Sequence, residues 1–151
     1  MMIPAARTTL ALACLSIASA AQDGETHPFS VHDMLAMQRI SDPQVSPDGT
    51  QVLFNVRTTD LDANRGRTDL WVAGVDGSRV RRLTTHEASD FNGRWTADGK
   101  GVWFLSTRGG SAHVWKLALE GGEAQPVTSF PVDVTGLVPF ADGRRLALTL
   151  E

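Results

Sequence analysis

The stretch Gly109-Gly110-Ser111-Ala112-His113 comes nearest in this chain to a nucleophile elbow. An elbow needs G-x-S-x-G on a sharp strand-to-helix turn, where the serine hydroxyl stands clear of the backbone beside its base. Here histidine takes the place of the last glycine, and a strand-like "HVWKLAL" follows instead of a helix. A hairpin turn is expected, not a nucleophile. The histidines offer no metal site either. His27 and His32 flank a helix start, His86 stands beside Glu87, and His113 precedes a strand. None of these pairs has the i, i+4 spacing of two zinc ligands on one helix face. Asp60, Asp62 and Asn64 supply oxygens that suit calcium, but without the glycine and closing glutamate of an EF-hand loop. A solvated loop is the expectation there. Arg79, Arg81 and Arg82 form one basic cluster, read as the solvated face of a strand in preference to a phosphate site. No catalytic, cofactor-binding or metal-binding residue is assigned, and no cofactor is expected.

The bulk properties narrow the choice further. A chain of 151 residues suffices for one ordinary domain, and 42% hydrophobic with 21% charged residues suits a soluble globular protein. A formal charge of −3 points to neither a nucleic-acid nor an anionic-membrane partner. At the N-terminus, Arg7 precedes "TLALACLSIASA", which ends on small residues before the polar "QDGETH". That pattern is a secretory signal peptide, expected over residues 1–21 with cleavage after Ala20 or Ala21. The protein is therefore expected to be exported, periplasmic or secreted, with no membrane attachment after cleavage. Cys14, the only cysteine, lies inside the signal, so the mature chain has no thiol for a disulfide or a nucleophile.

The elements that must carry these residues are repeats. After a lead-in over 22–41, Ser30 and Asp33 resemble a capping box, and Met34, Leu35, Met37 and Ile40 fit a short helix with one apolar stripe. Pro43 stops it. Asp-Gly turns then begin at Asp48, Asp98 and Asp142, 50 and 44 residues apart. Trp71 and Trp115 are 44 apart, as are Leu83-Thr84 and Val127-Thr128. The unit is thus about 44 residues. The six extra residues of the first copy fall in the polar "TTDLDANRGRT", read as a loop between its second and third strands.

After each Asp-Gly comes an apolar run. Val52, Val102 and Leu146 share a strand face with Phe54, Phe104 and Leu148, while Leu53, Trp103 and Ala147 point to the other face. Sheets apolar on both faces must stack between neighbours. The tryptophans at matched positions are expected in that stacked core, not in a ligand cage. "DLWVAGV" and "HVWKLAL" read as third strands, with "VRRLT" and "QPVT" as fourth strands. Four antiparallel strands per unit make the fold class all-β: a partial β-propeller of about two and a half blades, with blades near 42–90, 91–134 and 135–151.

These residues resemble a known family. "ISDPQVSPDGTQVLF", "TDLWVAGVDGSRVRRLT", "GRWTADGKGVWFLSTRGG" and "LEGGEAQPVT" are similar to the N-terminal propeller of prolyl oligopeptidase family serine peptidases, in the acylaminoacyl-peptidase and dipeptidyl-peptidase branches. The Ser-Pro-Asp-Gly motif alone is shared with TolB-like propellers; the lead-in "FSVHDMLAMQRISDPQVSPDG" is more telling. The resemblance implies a propeller that gates peptide access to an α/β-hydrolase domain further along the chain. The catalytic serine, aspartate and histidine would lie there, and no position here matches them. The expected partners are peptide substrates, through the parent enzyme, and the missing hydrolase domain and remaining blades. The open third copy makes a fragment the expectation. Two other readings stay open: a non-catalytic TolB-like periplasmic propeller that binds proteins, and a short protein that closes its ring by self-association.

Overall fold

A computed structural model describes residues 27–151. The expected signal peptide at 1–21, with Cys14, and the start of the lead-in lie outside the described residues.

Helix α1 (Val31–Ala36) starts where Ser30 and Asp33 cap each other. The Ser30 hydroxyl accepts from the Asp33 N–H at 3.3 Å, and the Asp33 carboxylate accepts from the Ser30 N–H at 2.7 Å. Two of the helix's orphan donors are satisfied this way. The expected apolar stripe does not form. The helix has no buried residue, Met37 lies past its end at 55% exposure, and Ile40 belongs to the following strand at 70%. Six residues make too few turns to bring an i, i+3, i+7 stripe onto one face.

The rest is strand and turn. The first blade is β1 (Arg39–Val45), β2 (Gln51–Asp60), β3 (Arg65–Gly74) and β4 (Arg81–Arg82). The second is β5 (Asp90–Trp95), β6 (Gly101–Gly109), β7 (Ser111–Ala118) and β8 (Gln125–Pro126). A third copy contributes β9 (Val134–Pro139) and β10 (Leu146–Leu150). Strands pair in chain order within each sheet, always antiparallel.

The repeated residues close each unit. Gly49, Gly99 and Gly143 hold φ of 72°, 67° and 67° at the fourth turn position, a left-handed conformation that glycine adopts at less cost than residues with a Cβ. In the first two turns a hydroxyl ties the ends together. Ser46 Oγ and Thr96 Oγ1 accept from the Gln51 and Gly101 N–H at 2.9 Å and donate to Asp48 and Asp98 at 2.6 and 2.5 Å. These hydroxyls, followed by the Thr50 and Lys100 N–H donors, hold both carboxyls below the usual range. The third turn has Phe140 there, so Asp142 keeps the N–H two residues on, from Arg144, and in place of the hydroxyl accepts from Arg145 N and Nε.

The fourth strands are shorter than "VRRLT" and "QPVT" suggest, at two residues each. Beyond them the threonine side chain takes over from the ladder. The Leu70 and Val114 N–H groups donate to Thr84 and Thr128 Oγ1 at 3.0 Å, while the Leu83 and Val127 N–H groups donate back to the Leu70 and Val114 carbonyls at 2.8 Å. That repeated clamp explains the 44-residue spacing of the Leu-Thr and Val-Thr pairs.

The six extra residues of the first unit are not a loop. They lengthen the β2–β3 hairpin, adding the pairs Thr58↔Arg67, Thr59↔Gly66 and Asp60↔Arg65. Only residues 61–64 turn, closed by the Asp60 carboxylate accepting from the Ala63 N–H at 2.9 Å. In an antiparallel hairpin, an even insertion is absorbed as whole cross-strand pairs without changing which face each residue occupies.

Two cores glue the blades. Leu53, Leu70 and Val72 of the first meet Val102, Phe104 and Leu117 of the second, with Trp115 packed alongside. Leu105 and Val114 on the other face of the second meet Val134 and Leu137 of the third. The blades approach so closely that a Cβ on Gly93 would lie 2.9 Å from Leu53 Cδ2. The second blade is thus buried on both faces, as the apolar pattern requires. The outward face of the first differs: Val52, Phe54 and Trp71 are only half-buried, and Trp71, unlike the equally half-buried Trp115, does not pack against the core between the blades. Buried ion pairs brace the polar ends of these faces. Asp90, fully buried, binds Arg108 at 2.6 Å, and Asp69 sits between Arg67 at 3.2 Å and Arg82 at 2.7 Å.

Candidate functional site

The first strands are where the blades converge. β1 touches β5 and β5 touches β9, whereas β4 and β8 do not meet. Neighbouring sheets are therefore wedged, tight along the first strands and splayed along the fourth. Such wedging places β1, β5 and β9 on the inner side of an arc.

Each of the two complete blades bends its inner strand with a bulge. Asp42 and Asn92, 50 residues apart, hold φ of 51° and 54°, and the register shifts beside them. Aspartate and asparagine tolerate this left-handed conformation better than other side chains. A bulge adds an unpaired residue and re-aims its neighbours. Around these bulges the inner strands are tied to one another. Arg94 Nη1 donates to Asp42 at 2.7 Å and to the Gly93 carbonyl at 2.7 Å; Gln44 Nε2 donates to the same Asp42 at 2.9 Å. Trp95 Nε1 donates to the Gln44 carbonyl at 2.9 Å. Beside these ties is a depression of about 310 Å³ lined by Gln44, Pro47, Arg94, Ala97 and Phe140, so all three Asp-Gly turns reach its rim. Asp42 offsets the Arg94 charge, leaving hydrogen-bonding groups and apolar turn residues. The chemistry of that lining suits contact with a neutral, extended chain more than with a polyanion.

The residues singled out in the sequence fall elsewhere. Ser111 opens β7 opposite Gly109, with Gly110 at φ 98° between them, so the elbow-like stretch is a hairpin turn leading into a strand. His113 does not precede the strand but lies within it, opposite Ser106. His27 contacts Asp33 at 3.2 Å, and His32 lies within α1. His86 Nδ1 accepts from the Ala88 N–H at 3.0 Å. The basic cluster is dispersed and only partly solvated. Arg79 sits in the turn at φ 52°, Arg81 donates across to the Leu119 carbonyl of the second blade at 3.1 Å, and Arg82 pairs with buried Asp69.

The fold also assembles a row that the sequence did not reveal. Register places Asp90, Ser106 and His113 side by side across β5, β6 and β7. These are the residue types of a hydrolytic triad, in an order that cannot work. A relay needs histidine between serine and aspartate; here serine is central. Its Oγ accepts from Arg108 N and Nε at 3.3 and 2.9 Å, and Arg108 also holds Asp90. The row is structural. Residues 16 and 7 positions apart carry no sequence signal until strand register is known.

Stacked four-stranded antiparallel sheets, wedged along their first strands, define a segment of a β-propeller. The chain belongs to the TolB beta propeller domain family, which it matches over residues 31–150. It is 30% identical over 130 residues to dipeptidyl-peptidase 5 of Porphyromonas endodontalis, an alignment covering 86% of this chain and 19% of that protein. The chain thus spans about a fifth of that relative's length. Among solved structures, acylaminoacyl peptidase of Pyrococcus horikoshii superposes with a TM-score of 0.63 at 20% identity, over 76% of this chain and 17% of the other. A TolB protein of Agrobacterium tumefaciens gives 0.60 at 20% identity, over 71% and 36%. At such identities, the two structures speak for the fold alone.

Proposed function

We propose that this chain is the N-terminal propeller part of an exported serine peptidase, where it gates the access of peptides to a hydrolase domain that this chain does not contain. The observation that carries this reading is the 130-residue similarity to dipeptidyl-peptidase 5. The TolB beta propeller match over residues 31–150 supports the propeller part of this reading. The inner mouth fits the role chemically: among the described residues it has groups that contact a passing chain and no arrangement that would cleave one. Hydrolysis belongs to the other domain, so the 151-residue chain alone is expected to be inactive on peptide and acyl-peptide substrates. Activity that disappears in Ser111→Ala would contradict this.

The test is to read the coding sequence beyond the Glu151 codon and express the whole protein with its own leader. The expected frame runs through further Asp-Gly blades to a G-x-S-x-G elbow. Its product would reach the periplasm or medium and cleave short peptides but not folded proteins. A frame that stops after its last blade, with no elbow, would replace this reading with the second one, a non-catalytic protein-binding propeller. The match to the TolB beta propeller family over residues 31–150 is the observation that keeps that alternative open.

A further inference from the structure

A second depression lies away from the inner mouth, on the outer half of the junction between the first two blades. It measures about 430 Å³, within the usual range for ligand pockets, and its walls include Leu83, Arg108, Trp115, Leu117, Glu123 and Ala124. Leu83 and Ala124 also pack against the core between the blades, so the apolar wall is continuous with it.

Arg108 sets the chemistry. Its Nε donates to Ser106 Oγ at 2.9 Å and its Nη2 to fully buried Asp90 at 2.6 Å, while the guanidinium stacks 4.7 Å from the Trp115 ring centre. Three contacts fix the group, and Nη1 is not engaged by any of them. A planar donor locked by its other nitrogens is already organised to receive an acceptor. That acceptor should be neutral, because Asp90 already balances the Arg108 charge and the Glu123 carboxylate also lines the cleft. Glu123, on the exposed turn before β8, can accept an N–H. A carbonyl for Arg108, an N–H for Glu123 and an apolar group for the wall of Leu83, Trp115 and Leu117 describe one residue of an extended peptide, whose N–H and C=O point to the same side.

We propose that this cleft binds an extended peptide segment through a single large aliphatic residue. The residue's carbonyl accepts from Arg108 Nη1, its amide donates to Glu123, and its side chain lies against Trp115, Leu83 and Leu117. The proposal does not depend on a hydrolase domain, because every group belongs to the first two blades.

The probe is N-acetyl-leucine methylamide, titrated into the ¹⁵N-labelled 151-residue chain and followed by amide and indole shifts. The expected result is saturable shifts centred on Arg108, Trp115 and residues 122–124, with a Kd of about 1 mM for so small a ligand. Ala124→Trp, which fills the cleft, should weaken binding at least tenfold. Glu123→Ala, on an exposed turn that tolerates substitution, should weaken it roughly threefold or more, as expected for one lost hydrogen bond. N-acetyl-leucine, whose carboxylate takes the carbonyl's place at an Arg108 already neutralised by Asp90 and adds a charge to a cleft that Glu123 also lines, should bind more weakly than the neutral probe. Shifts that stay linear to about ten times the expected Kd would overturn the proposal. So would shifts that persist unchanged in Glu123→Ala, a variant that remains informative if the tryptophan substitution disturbs folding.

Discussion

The first and second blades are built from the same four strands, the same turn and the same threonine clamp, yet their surroundings differ. The second has a neighbour on each face, and its Phe104 is fully buried. The first has a neighbour on one face, and Phe54 at the matched position is only half-buried. Backbone architecture is therefore set within each repeat, whereas burial is set between repeats. Equivalent residues in a stacked protein need not have equivalent energies.

Four experiments would break or sharpen that contrast. The largest effect should come from the paired truncations Phe104→Ala and Phe54→Ala, compared by urea unfolding. A fully buried phenylalanine should cost about 3–5 kcal/mol and its half-buried counterpart well under half of that. Equal losses would mean that the first blade's outer face is covered in solution. Next, Arg108→Ala strands the Asp90 carboxylate in the core and should cost about 3–5 kcal/mol. Arg94→Ala breaks a partly exposed pair on the inner strands and should cost about 1 kcal/mol or less. Similar values for the two would show the inner mouth to be drier than its exposure indicates.

The threonine clamps test the opposite expectation, that the blades agree. Thr84→Val and Thr128→Val each leave a strand N–H without its side-chain acceptor and should each cost about 1–2 kcal/mol, again by urea unfolding. A marked difference would tie the clamp to blade packing instead of to the repeat itself. The smallest effect concerns pH. Asp48 and Asp98 are held below the ordinary 3.8, so their contribution is complete above that value and lost as pH falls through their lower folded values. Asp48→Asn should flatten the acid limb of a stability–pH curve, and a curve superimposing on that of the parent protein would refute the turn network. Asp142, without a hydroxyl partner from Phe140, is lowered chiefly by the Arg144 N–H.

The sequence made legible whatever depends on local geometry. The Asp-Gly turns, the paired apolar strand faces and the Leu-Thr and Val-Thr spacing all repeat along the chain, because each satisfies a need inside one unit. The bulges were not legible. Aspartate and asparagine at positions 42 and 92 are compatible with a left-handed residue but do not demand one. The extended hairpin was missed because "TTDLDANRGRT" is polar throughout, and strand pairs at a solvated hairpin tip need no apolar alternation. The inner mouth was hidden for a different reason. Asp42 and Arg94 are 52 positions apart, and Trp95 finds an acceptor 51 positions away, in the neighbouring blade. Contacts between repeats leave no trace in a pattern read within one.

Chain connectivity bears on how such proteins diversify. The hydrogen-bond ladders of β1–β4 and β5–β8 are each completed by consecutive chain, with no strand borrowed from the neighbouring unit. A duplication or deletion that falls in the segment between β4 and β5 would therefore add or remove an intact sheet while leaving every remaining ladder whole. Only side-chain contacts between faces would need to readjust, and point substitutions can tune these one at a time. Blade number thus becomes a trait that recombination can change in a single event.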